Sequence, residues 1–277
     1  TIVMLRVIIA AGALVAFLYA TGQSLPKGAA VWRAFFIMAL LNNVIPFTLI
    51  VWGEIRISSG LASILNATTP VFSVLLAHFL TKQERLTPNR VVGVVLGLVG
   101  GALLIGPDVL RGFNLTSLAQ IAVVVSAVMY ACAAAYGRRF QALHVSPVAV
   151  ASGQLTAAAI VMIPLALAID RPWTFTHSPS PVAWSALFAL ALLSTSVAYV
   201  LYFSILARAG ATNALLVTFL TPVSALLLGA LVLKEQLSLL NVAGVLVIFA
   251  GLAAIDGRIF GSRTRFRNPA TNTGHPN

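Results

Sequence analysis

The feature that most limits this chain is the length of its uncharged apolar runs. No Asp, Glu, Lys or Arg lies between Arg6 and Lys27, between Arg33 and Glu54, between Arg139 and Asp170, or between Arg171 and Arg208. A helix crosses the roughly 30 Å hydrocarbon core of a bilayer in about 20 residues. Read with that ruler, the sequence holds nine apolar segments, near 4–20, 34–53, 57–80, 91–106, 117–137, 147–169, 182–204, 210–233 and 240–257. Short connectors rich in Pro, Gly, Asn or charge separate them, such as Leu25-Pro26-Lys27-Gly28 and Thr87-Pro88-Asn89-Arg90. The expected fold class is therefore all-α: a polytopic transmembrane helix bundle.

Composition closes the other routes. Of 277 residues, 60% are hydrophobic and 8% charged, with a mean hydropathy of +0.99. Soluble domains carry about 25% charged residues, and a chain this apolar would expose too large a patch to water. Soluble enzymes and secreted disulfide scaffolds are excluded, and Cys132, the lone cysteine, has no internal partner. The net charge of +11 does not point to nucleic acid, because the basic residues fall mostly between the apolar runs. The stretch after the first run, Thr21-Gly22-Gln23-Ser24, lacks the small-residue pattern of a cleaved leader.

Counting Lys and Arg on alternate sides gives 12 on one side, including Lys27, Arg33, Lys82, Arg138 and the four tail arginines. The other side takes 5: Arg6, Arg56, Arg111, Arg171 and Lys234. The positive-inside rule then puts the C-terminus in the cytoplasm, with 258–277 as a disordered basic tail. Nine spans would leave the first residue outside, and one further span upstream removes that awkwardness.

An internal repeat points the same way. At an offset of 152, Arg56, Ala62, Pro70 and Val71 superpose on Arg208, Ala214, Pro222 and Val223. At 151, Glu84, Leu86, Gly93 and Gly100 superpose on Glu235, Leu237, Gly244 and Gly251. Matched spans lie five apart, so they cross in opposite senses, as in an inverted-topology repeat. The expected organisation is 5+5, with a first half at 1–112 lacking one helix and a second half at 113–257.

The pattern Ala-x7-Pro-Val, Glu-x-Leu, Gly in each half resembles the EamA domain of the drug/metabolite transporter superfamily. Leu5-Arg6 followed by Ala10-Ala11 resembles that domain's second helix. The resemblance covers nearly the whole chain and is specific to family, not to substrate. It implies a ten-helix transporter of the bacterial inner membrane that exports amino acids or related metabolites, with an aromatic amino-acid and metabolite exporter as the nearest pattern. It also implies that the absent first helix contributes to the central cavity.

Polar groups near mid-span need partners and are default site candidates. Asn42 and Asn43 stand in the second span, and Ser63 and Asn66 share a stripe with Pro70 and Ser73 in the third. Tyr130 and Gln154 stand in the fifth and sixth spans, Thr195, Tyr199 and Tyr202 in the seventh, and Thr218 in the eighth. Together they can bind the backbone ends of an amino acid, whereas isolated Ser and Thr more often bond between helices. Pro70 and Pro222 stand as paired hinge candidates, and Gly93, Gly97 and Gly101 form a ridge for close helix packing. His78 reads as a satisfied interface histidine, since a metal would need further ligands.

Motifs for covalent chemistry, nucleotide phosphates, metals or cofactors do not occur, so the chain is expected to be no enzyme and to run on gradients. Glu54, Glu84, Asp108, Asp170, Glu235 and Asp256 sit at span ends. A carrier without a mid-membrane acid suits neutral or zwitterionic solutes. The small-molecule substrate and the lipid are the expected partners, and a monomer suffices. The competing readings are a multidrug or quaternary-cation exporter and, further off, an intramembrane enzyme or a structural membrane protein.

Overall fold

The computed structural model describes residues 1–80, 88–105, 115–174, 178–205, 228, 231–232 and 239–256. Every regular element among the described residues is helical. In chain order they are α1 (Ile2–Ala20), α2 (Ala29–Glu54), α3 (Ser59–Asn66), α4 (Thr69–Leu80), α5 (Pro88–Ile105), α6 (Leu115–Gly137), α7 (Pro147–Ile169), α8 (Pro181–Ile205) and α9 (Leu239–Asp256).

Local chemistry sets the helix starts. Ser58, Ser146 and Ser180 are N-caps whose hydroxyls accept from the backbone N–H of Leu61, Ala149 and Ala183 at 3.2–3.3 Å. Pro147 and Pro181 follow the last two caps at the first helical position, where a missing N–H costs nothing.

Two departures from regular helix interrupt the expected spans. The span foreseen as one helix over 57–80 is divided at Ala67 and Thr68 into α3 and α4. Pro70 has no N–H for the carbonyl of Asn66, and the Thr69 hydroxyl donates to that carbonyl instead at 2.6 Å. Beside it the Thr68 hydroxyl donates to the Leu65 carbonyl, also at 2.6 Å. The second departure is a wide π-turn inside each of two helices, Leu40–Val44 in α2 and Leu192–Val197 in α8.

Packing makes two cores. One lies among α1, α2, α7 and α8 around Val7, Leu14, Phe35 and Leu155. The other joins α3 to α6 and α9 through Ile64, Leu65, Val71, Val123, Ile248 and Leu252. The C-terminal half of α2 packs against α6, and so links the two. At the far end of the first core the Thr1 hydroxyl donates to the Asp170 carboxylate at 2.8 Å.

Within the second core α5 and α9 pack backbone to backbone. A Cβ on Gly100 would lie 2.9 Å from the Gly244 carbonyl, and one on Gly251 would lie 2.7 Å from that of Gly93. Gly97 presses on Val71 of α4, which a Cβ there would meet at 2.3 Å. Gly101 belongs to α5 as well. Gly93, Gly97 and Gly100 thus form a packing surface that serves two neighbours.

Among the described residues, six stretches are long and apolar enough to cross a bilayer: Ile2–Ala20, Ala29–Glu54, Ser59–Leu76, Leu115–Ala142, Pro147–Ile169 and Pro181–Ile205. Their outer faces are apolar and uncovered. On α8, Val182 is 75% exposed, Leu193 65% and Leu201 56%, a surface that suits lipid and not water. The chain is a polytopic helical membrane protein.

Candidate substrate site

The polar residues gather where α2, α7 and α8 meet. Pro46 in α2 has no N–H to give the carbonyl of Asn42. The orphaned carbonyl accepts instead from the Tyr199 hydroxyl at 3.3 Å. The same hydroxyl oxygen accepts from Asn42 Nδ2 at 3.3 Å and from Asn43 Nδ2 at 3.0 Å. Consecutive residues of an α-helix point about 100° apart, and the wider π-turn helps both amides reach one phenol. Asn42 Nδ2 also donates to Gln154 Oε1 of α7 at 3.2 Å.

Asn43 and Gln154 are fully buried, and each keeps one polar atom, Asn43 Oδ1 and Gln154 Nε2, without a protein partner. Such orphans are costly inside a membrane protein. A site that exchanges one set of partners for another is one reason to keep them.

The second π-turn holds Thr195 and Ser196. Their hydroxyls donate five residues back along α8, to the carbonyls of Leu190 at 2.9 Å and Ala191 at 3.0 Å. Thr195 Oγ1 in turn accepts from Arg6 Nε of α1 at 2.8 Å. The Arg6 guanidinium lies over the ring of Phe47, with Cζ 3.8 Å from the centroid. Tyr199, Tyr130 of α6 and Glu54 are its electrostatic neighbours.

The sequence-derived candidates therefore divide. Asn42, Asn43, Gln154 and Tyr199 form one hydrogen-bonded set, and Thr195 anchors a second beside it. Tyr130 packs half-buried against the first core, as does Tyr202, whose ring meets Phe203 edge-on at 5.3 Å. Ser63 and Asn66 stand apart on α3, where Ser63 Oγ and Asn66 Oδ1 are buried without a partner. Thr218 and Pro222 lie outside the described residues, as do the tail and the side chain of His78.

The family model described as "EamA-like transporter family" matches residues 1–106 and 117–255. The chain belongs to this family. Its relatives include the transporter YoaV of Bacillus subtilis, 26% identical over 79% of this chain and 74% of that one. Another is the probable amino-acid metabolite efflux pump of Escherichia coli, 29% identical over 75% and 69%. A crystal structure shares the fold with a TM-score of 0.65 and 21% identity, covering 92% of this chain and 86% of that one.

Two site residues of this EamA-family transporter escaped the sequence reading. Arg6, inside the first apolar run, was counted only as a topology charge, and the structure sets it against Thr195 and Phe47. Its position three residues inside an otherwise apolar run was the available signal. Pro46 sits four residues after Asn42, and that spacing alone marks the orphaned carbonyl.

Proposed function

We propose that this chain exports, or facilitates the passage of, small neutral or zwitterionic metabolites, foremost amino acids and among them aromatic ones, across the bacterial inner membrane by alternating access. The observation that carries the reading is the amide and phenol cluster of Asn42, Asn43, Gln154 and Tyr199, which places buried, partly unpartnered polar atoms between α2, α7 and α8. Amides offer both donors and acceptors, as a solute with an ammonium and a carboxylate requires. The E. coli relative's description as an amino-acid metabolite efflux pump supports the same cargo.

Alternating access in such carriers is commonly a rocking of two inverted halves, and two observations support that organisation here. The π-turns begin at Leu40 and Leu192, 152 residues apart, the offset of the sequence repeat. The close α5–α9 contacts are reciprocal: Gly93 meets Gly251 and Gly100 meets Gly244, the pairs that a local two-fold axis would exchange. We place the halves at 1–112 and 113–257, ten helices in the complete 5+5 arrangement, with the C-terminus in the cytoplasm. Pro70, at the break beside Ser63 and Asn66, and its repeat partner Pro222 serve as paired hinges, and Ser63 and Asn66 complete the site with Tyr130, Thr195 and Thr218 of the second half. A monomer is sufficient for this mechanism.

The test is flux of labelled neutral amino acids into proteoliposomes, with and without a pH gradient. We expect transport in both conditions, and several-fold lower flux for Asn66→Ala and Gln154→Ala at unchanged expression. Absence of flux across a panel of amino acids sinks the cargo assignment. Normal flux in both variants sinks the site assignment.

A further inference from the structure

Arg6 is the charged group that the function above leaves unused. It is the fifth residue of the 19-residue α1, and so stands about 7 Å along the helix from its start. A cation inside a span is expensive, and such residues characteristically face a bundle interior or a solute pathway. Part of the Arg6 surface remains uncovered, as does part of its neighbours Tyr130 and Tyr199.

The contacts of Arg6 fix its plane without using up its donors. A guanidinium has five N–H donors in a rigid fork. The bond to Thr195 Oγ1 takes Nε, and Phe47 covers one face of the plane. That bond leaves the outer edge of the fork, the four hydrogens of the two Nη groups, which is the edge that pairs with a carboxylate through two parallel hydrogen bonds. A carboxylate reaching it would meet a donor already oriented by Thr195 and Phe47, so little orientational freedom is lost on binding.

The geometry points to Arg6 as the anchor for a carboxylate on the transported solute. The cargo is then an amino acid or another monocarboxylate, and amines and quaternary cations are turned away by the fixed positive charge. This assignment rests on the transport reading given above. It goes beyond it by naming the group that is recognised and the residue that recognises it. Glu54, the remaining electrostatic neighbour, stands seven residues beyond Phe47 on α2, about 10 Å further along the helix.

The experiment compares phenylalanine with phenylalaninamide, which differ in whether the acid end is charged, in proteoliposomes of wild type, Arg6→Gln and Arg6→Lys. Wild type is expected to move the acid faster. Arg6→Gln should lose about tenfold or more of the phenylalanine flux, as expected for losing hydrogen bonds to a charged group, while its phenylalaninamide flux holds or rises because the repelling charge is gone. An acid-to-amide ratio in Arg6→Gln equal to that of wild type overturns the assignment. Should Arg6→Gln fail to fold, Arg6→Lys carries the test, because it keeps the charge and loses the fork. Its ratio should fall about threefold or more, and equality with wild type overturns the anchor.

If wild type moves neither compound, the cargo reading fails, and thermal stabilisation of the detergent-solubilised protein judges Arg6 separately. Phenylacetate should then stabilise wild type more than phenylacetamide does, and the difference should vanish in the substituted protein. Equal stabilisation by the two, or none by either, overturns the anchor.

Discussion

The two π-turns reach the same backbone state by different routes. In α2 a proline causes the break: Pro46 cannot serve the Asn42 carbonyl, and a side chain from α8 fills in at 3.3 Å. In α8 no proline is involved, and Thr195 and Ser196 satisfy the carbonyls five residues back with their own hydroxyls. The side chains then behave oppositely. Asn42 and Asn43 reach across to other helices, whereas Thr195 and Ser196 fold back on their own helix and Thr195 receives a cation. The difference extends to the residues four positions past Asn43 and Thr195: Phe47 and Tyr199, again 152 apart, carry the guanidinium in one case and the amides in the other. One backbone device, used twice at the same spacing, has been given unlike chemistry.

Tyr199 is the point where this comparison is easiest to break, because one hydroxyl serves the whole first turn. Tyr199→Phe removes the donor to the Asn42 carbonyl and the acceptor shared by two amides. Interhelical hydrogen bonds in membranes are worth about 0.6 kcal/mol on average and up to about 1.7, and orphaned groups add to that loss. Thermal unfolding in detergent should show a loss of about 2–4 kcal/mol. A loss below about 0.5 kcal/mol would mean that the amides are held by something other than the phenol.

How much of this was legible follows from where each cause lies. The six described stretches that can cross a bilayer were legible, because an apolar run that long leaves the backbone no other way to satisfy its hydrogen bonds in lipid; the expected span at 210–233 lies almost wholly outside the described residues. The grouping of Asn42, Gln154 and Tyr199 was legible in part, since amides and phenols at mid-span must find one another. The π-turns were not. The one in α2 depends on a proline and on a tyrosine 157 residues away that supplies the missing hydrogen, and no local pattern encodes that pairing. Arg6 was read only as a topology charge, because a cation near a span end looks the same in sequence whether or not other helices pack against it. Only the position of Thr195 and Phe47 beside it distinguishes the two. The division of α3 from α4 was half legible: Pro70 marked it as a kink, but the Thr68 and Thr69 hydroxyls that make a full break tolerable depend on local rotamers.

The second turn is expected to respond less than the first. Thr195→Val keeps the shape and removes both the bond to the Leu190 carbonyl and the acceptor for Arg6. The lost bond to a charged donor makes this the larger part, and the total should be about 1–2 kcal/mol in the same unfolding assay. Combining it with Phe47→Leu should cost less than the sum of the two, since both act through Arg6. Strict additivity would show that Thr195 and Phe47 hold the guanidinium independently.

Pro46→Ala sharpens the difference in cause. It restores an N–H within reach of the Asn42 carbonyl, so stability should hold or rise by up to about 1 kcal/mol while the Tyr199 hydroxyl loses a partner. Amino-acid flux should fall nonetheless, because a straightened α2 swings Asn42 and Asn43 away from one common partner. Unchanged flux would detach the turn from function and leave it a packing feature.

Ser196→Ala gives the smallest effect and isolates what the second turn owes to itself. The Ser196 hydroxyl has one hydrogen, offered either to the Ala191 carbonyl at 3.0 Å or to the Ala10 carbonyl of α1 at 3.3 Å. Removing it deletes a single shared bond and leaves no amide or charge without a partner, so about 0.6 kcal/mol is the expected loss. Flux should match wild type, because the residue touches neither Arg6 nor the amide cluster. A loss as large as that of Tyr199→Phe would reverse the comparison. It would make the second turn the one that depends on its hydroxyls to exist, with α1 docked onto it through Ala10, and the first turn the one that stands without help.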